Sequence, residues 1–170
     1  MLFKEITCID KNFELQKHGY IAVKGQHIDY VGDQAPSGNY GKVIEGSNKL
    51  LFPAFHDSHT HLAMMLMRGL GENMELESWL EKKVYPFEEN LLAQDCYWAT
   101  QASALELLSS GIVSAGDTYM CAAQIARGLH DAKLKGMVAR SFSYSRNGKE
   151  GMTNHHAYGE ALELLETCKS

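Results

Sequence analysis

From Leu50 onward, short apolar or β-branched runs alternate with longer stretches whose apolar residues recur at helical spacing, and this alternation restricts the fold more than any other feature. "LLFPAFHD", "GIVSAGDT" and "MVARSFSYS" read as strands, the first as a run buried on both faces. Trp98, Ala102, Leu105 and Leu108 recur at i, i+4, i+7 and i+10, with Asp95 placed to cap the start and Gly111 the end. Ala122, Ile125, Ala126 and Leu129 form a second stripe that runs to "KLKG", and Tyr158, Ala161, Leu162, Leu165 and Cys168 form a third. Strands and helices in strict alternation imply parallel strands joined by right-handed crossovers. No G-x-G-x-x-G follows the first strand, which disfavours the open dinucleotide-binding sheet and leaves the (β/α)8 barrel. A whole barrel takes about 250 residues, so the span from Leu50 to Ser170 accounts for about half of one, or three βα units.

The first 48 residues have a different texture. "EITCID", "GYIAVKGQHIDYVG" and "GKVIEG" alternate with period two, and Gly25-Gln26 fits a two-residue hairpin turn. A domain boundary near Asn48 follows, with a small β-domain at residues 1–48 and an α/β domain at residues 49–170.

A net charge of −5 without a dense basic run argues against a nucleic acid or an anionic membrane as the main partner and favours a small molecule. Cys8, Cys96, Cys121 and Cys168 form no C-x-x-C and read as core thiols in a reducing compartment. "MLFKEITCID" carries no long apolar segment, and the expectation is a soluble, cytoplasmic protein.

The stretch "LLFPAFHDSHTHLAMMLMRG" places His56, His59 and His61 at the end of the first expected strand. Residues at i and i+2 on a strand share a face, so His59 and His61 can converge on one ion while His56 points the other way. In a barrel, functional side chains gather at the carboxyl ends of the strands, which is where this pair falls. The long connection "RGLGENMELESWLEKKVYPFEENLLAQ" that follows is of the kind that usually carries function. Met64, Met65 and Met67 read as packing or pocket lining, and His18, His27 and His130 as surface residues.

The combination "FPAFHDSHTHLAMMLMRGLGENMELESWLEKKVYPFEENL" followed by "SSGIVSAGDTY" resembles the start of the metal-dependent amidohydrolase superfamily. Within it, the chain is similar to deaminases of 5′-methylthioadenosine and S-adenosylhomocysteine, and more distantly to guanine deaminases and triazine chlorohydrolases. The resemblance runs from about Tyr20 to Arg140, and Ala54 stands where the family usually carries Gly. It implies an α/β fold, the first half of a (β/α)8 barrel preceded by part of a small β-sandwich. It implies a hydrolase in which a metal-activated hydroxide attacks the ring carbon bearing the amino group. His59 and His61 would be two ligands of a zinc or iron ion, with the remaining ligands, the proton shuttle and a terminal Asp expected on later strands, so that the 170-residue chain is expected to be inactive alone. His155 and His156 enter only by proximity to the third strand. Glu88 would accept the ribose hydroxyls of a nucleoside, the alternative being a solvated acid after Pro86. Arg140 would pair with a substrate carboxylate, the alternative being a structural salt bridge. Trp79 would wall the pocket, the alternative being a core tryptophan. The rival functional class is a non-catalytic relative or a half-barrel that assembles with a second polypeptide. Unpaired sheet edges lead to an expectation of self-association.

Overall fold

The computed structural model describes residues 1–10, 12–141 and 156–169, the last segment without the side chain of His156. The architecture is mixed α/β and divides into two units, Met1–Ala54 and Phe55–Ser170.

The first unit is a single five-stranded sheet. Strands β1 (Leu2–Ile9), β2 (Leu15–Lys24), β3 (His27–Gly32) and β4 (Val43–Glu45) lie in the order β3-β2-β1-β4, and the short β5 (Leu50–Leu51) also pairs with β1. The β2–β3 hairpin turns at Gly25-Gln26, where Gly25 has φ +58°, a left-handed conformation that costs glycine little. Ile6, Cys8 and Ile21 are buried together, with Phe3 and Leu51 packed against them.

The run from Leu50 to Asp57, expected to be one strand, is two. Leu50–Leu51 pairs in parallel with Thr7 and Cys8 of β1, and β6 (Phe55–Thr60) starts only after Pro53, which has no backbone N–H to give a sheet. The division between the two compact units falls after Ala54. Nor is the run buried on both faces: Leu50, Phe52 and Phe55 are all exposed.

In the second unit β6, β7 (Ile112–Thr118) and β8 (Lys135–Ala139) form a parallel sheet in the order β6-β7-β8. A 3₁₀ segment at Leu62–Met67 leaves β6, and a continuous helical stretch follows: α1 (Leu76–Trp79), a π-type turn at Leu80–Val84, and α2 (Tyr85–Glu88). Pro86 near the start of α2 cannot donate to the preceding turn, which accounts for a change of helical register at that point. Helix α3 (Ala93–Ser109) begins with the Asp95 carboxylate accepting the Leu92 N–H at 3.0 Å and ends before Gly111, at φ +79°. Helix α4 (Ala122–Asp131) buries the expected Ala122, Ile125 and Leu129. It stops short of "KLKG": Lys133 is left-handed, Leu134 is buried, and Gly136 lies within β8, where a Cβ would come within 2.5 Å of Leu129.

Helix α3 corrects its predicted face. Trp98, Leu105 and Leu108 are exposed, and the buried residues are Cys96, Ala99, Thr100, Ser103 and Ala104. Small side chains are what the interface requires, because a Cβ on Gly128 of α4 would lie 2.8 Å from Thr100. Helix α5 (His156–Thr167) likewise buries Ala157 and Leu164, whereas Leu162, Leu165 and Cys168 of the expected stripe are exposed. Of the other cysteines, Cys8 and Cys96 are buried and Cys121 is partly so.

Candidate active site

The carboxyl ends of β6, β7 and β8 lie side by side, because the strands are parallel and Thr60 pairs with Asp117 while Thr118 pairs with Ala139. His61 follows β6, Tyr119 follows β7 and Arg140 follows β8.

The path of β6 overturns one expectation. His56 pairs with Ser114 and Asp57 with Ala115, yet Thr60 pairs with Asp117, so β6 carries one residue more than β7 across this interval. Such a bulge reverses the alternation of side chains. Before it, His56 lies on the face of Ser114, to which its Nδ1 is joined at 2.6 Å; after it, His59 and His61 lie on that same face. The slip is accommodated at Gly116, where a Cβ would stand 2.7 Å from the carbonyl oxygen of Ser58.

The two predicted ligands do meet. The rings of His59 and His61 are 5.0 Å apart, edge to face. His61 donates its Nδ1–H to the Thr118 carbonyl at 2.7 Å, which fixes the tautomer and leaves Nε2 as the acceptor nitrogen of the ring. The backbone N–H of His59 donates to the Asp57 carboxylate at 3.2 Å. Among the described residues no third His, Cys, Asp or Glu completes a metal-holding group around the pair.

Asp117, which sequence reading passed over as part of a strand, braces this turn. It is 2% exposed, and its Oδ2 accepts the Leu62 N–H at 2.6 Å and the Thr60 hydroxyl at 3.1 Å, tying down the residues on either side of His61. Its Oδ1 is buried without a hydrogen bond among the described residues. Burial pushes its carboxyl above the usual range, opposed by the Leu62 and Thr60 bonds and by the nearby imidazoles. Tyr119 was also missed. It is 9% exposed, its ring lies 5.8 Å from that of His61, and its hydroxyl donates to Glu88 at 2.6 Å. Burial first, and then the Glu88 carboxylate, push its phenol far above the ordinary range.

Glu88 is thus partly buried and hydrogen-bonded, not a free solvated acid. Arg140 donates through Nε to Glu160 at 2.8 Å and through a second nitrogen to the Ser141 carbonyl at 2.6 Å, so a salt bridge is formed, with the arginine side chain only 12% exposed. Glu160 also accepts the Cys121 N–H at 3.0 Å. Trp79 is partly buried and bonds the Leu70 carbonyl at 2.9 Å over Gly71, at the connection and not in the central core. Met67 is buried and Met64 packs on the core, as expected, and His18, His27 and His130 are exposed. His155 lies outside the described residues, and of His156 only the backbone is described.

Residues 50–169 match the model of the amidohydrolase family. The chain belongs to that family. Its amidohydrolase relatives include the 5-methylthioadenosine/S-adenosylhomocysteine deaminase of Halothermothrix orenii, 29% identical over 97% of this chain and 42% of the relative. The 5′-deoxyadenosine deaminase of Methanobrevibacter smithii is 31% identical over 88% of this chain and 34% of its own length. Among solved structures, an atrazine chlorohydrolase from Arthrobacter aurescens complexed with zinc superposes with a TM-score of 0.73 at 21% identity, covering 92% of this chain and 38% of that one. A guanine deaminase from C. acetobutylicum with bound guanine gives 0.69 at 21% identity, over 86% of this chain and 38% of the other. This amidohydrolase chain therefore spans less than half the length of the relatives it matches.

Proposed function

We propose that the product of the complete reading frame is a metal-dependent aminohydrolase that removes the ring amino group of an adenosine derivative of the 5′-methylthioadenosine or S-adenosylhomocysteine type. In this reading the second unit is the first three βα units of a (β/α)8 barrel, and Met1–Ala54 is part of a small β-sandwich. The observation that carries it is the His59–His61 pair at a strand end, with the His61 tautomer set by the Thr118 carbonyl.

Paired imidazoles with Nε2 free suit zinc or ferrous iron. A metal bound there supplies the Lewis acidity that activates water toward the ring carbon. The chain's own residues do the rest: His59 and His61 hold the ion, Thr118 orients His61, and Asp117 keeps the turn between the strand and the 3₁₀ segment from shifting. Glu88 accepts hydroxyls of the ribose, Trp79 walls the ring, and Arg140, held through Nε by Glu160 and through Nη1 by the Ser141 carbonyl, supplies positive charge toward a substrate's anionic tail. The deaminases named above support a nucleoside over a triazine, since they share 29% and 31% identity against 21% for the chlorohydrolase.

A catalytic zinc takes three protein ligands, and the described residues bring two. The 170-residue chain alone is accordingly expected to hold metal weakly and to release no ammonia. The test measures metal content and ammonia release for this chain and for the complete product, with 5′-methylthioadenosine, S-adenosylhomocysteine and a chlorinated triazine offered in turn. Turnover by the short chain would overturn its predicted inactivity. A complete product that binds metal but attacks only the triazine would overturn the substrate assignment.

A further inference from the structure

Tyr119 stands between two parts of the site that the sequence keeps apart. It directly follows β7, it is 9% exposed, and it packs with Leu62, Ala63 and Cys96 in the core, so its ring cannot swing. One neighbour is His61, at 5.8 Å between ring centres; the other is Glu88, whose Oε1 accepts the phenol at 2.6 Å. Among the described residues Glu88 Oε2 receives no hydrogen bond, so it is left to accept from a ligand. A carboxylate pinned at one oxygen by a buried donor presents its other oxygen in one direction only, which selects a ligand with hydroxyls at a set distance from the metal end of the strand.

We propose that Tyr119 is a positioning residue for substrate selection: by fixing Glu88 relative to His61, it makes the site prefer ring compounds that carry a vicinal diol over the same ring without one. This rests on the reading of Glu88 given above and goes beyond it by assigning the selectivity to a residue that does not touch substrate. No proton moves in this role. Tyr119→Phe keeps the ring against His61 and removes only the bond to Glu88, which then samples several rotamers.

The test uses the product of the complete reading frame and two ligands without a ring amino group, purine riboside and 2′,3′-dideoxy purine riboside, with affinities measured by calorimetry. The wild type is expected to bind the riboside at least about tenfold tighter than the dideoxy compound. Y119F is expected to lose most of that ratio through weaker riboside binding, with dideoxy affinity and melting temperature nearly unchanged, and E88Q to lose it similarly. A ratio that survives in Y119F overturns the proposal alone, as does equal weakening of both ligands, which marks a merely structural tyrosine. Absence of any diol preference in the wild type overturns the Glu88 reading and this proposal with it. A preference that is present in the wild type and lost in Y119F upholds the proposal even where ammonia release fails, and that failure then counts only against the deaminase assignment.

Discussion

The carboxyl ends of β6 and β8 are built from the same kind of parallel strand, yet they hold their candidate site residues differently. At β6 the supporting bonds come from groups other than the candidate ligands' Nε2 atoms: a backbone carbonyl holds His61 through Nδ1, and a buried carboxylate holds the residues on either side of it. At β8 the candidate group is itself the partner, with Arg140 joined to Glu160 through its own guanidinium. On the proposed reading, the first arrangement preorganises a site, whereas the second trades part of a site's charge for local order.

The comparison is broken most completely at β6. In the full-length product, His61→Ala should remove metal and bring ammonia release to background, read by metal analysis and a coupled ammonia assay; retention of stoichiometric metal would show that the pair is not a ligand set. Asp117→Ala comes next. Removing a buried carboxylate that accepts two hydrogen bonds should destabilise the fold by about 2–3 kcal/mol in chemical denaturation, and Asp117→Asn, which keeps an acceptor oxygen, should recover about half of that loss. Glu160→Gln sharpens the contrast at β8: freed from its counter-charge, Arg140 should favour a substrate with an amino-acid carboxylate over an uncharged one by about tenfold in kcat/KM relative to the wild type. An unchanged ratio would make the arginine purely structural. The smallest effect belongs to a residue remote from both ends. Leu105→Ala, on the exposed face of α3, should change stability by less than about 0.5 kcal/mol in the same denaturation assay.

Much of this arrangement was legible in the chain where one local rule sufficed. The i, i+2 spacing brought His59 and His61 to one face, the Gly25-Gln26 turn set the β2–β3 hairpin, and the apolar stripe of α4 found its buried side. The rules failed where a neighbour decides. Periodicity follows large apolar residues, so on α3 it selected Trp98 and Leu105, while close packing against Gly128 rewarded the small face. The position of His56 depends on a register slip against β7 that β6 alone does not announce. Tyr119 and Glu88 are 31 residues apart and belong to different elements, and nothing in either segment signals their hydrogen bond. Asp117 looked like one polar residue in a strand because its partners arrive from the end of β6 and the 3₁₀ segment that follows it.

The extra residue in β6 also has a consequence for substitution on β7. Gly116 must remain without a side chain while the Ser58 carbonyl leans into its space, and Ser58 is spare length only while position 116 is empty. Shortening β6 by one residue there would leave His59 and His61 opposite the same partners on β7 and would open room for a larger residue at 116. A larger residue at 116 in the unshortened strand would instead push the two strands apart. The two positions are thus coupled: Gly116→Ala is expected to destabilise the unshortened strand and to be tolerated once the extra residue of β6 is deleted.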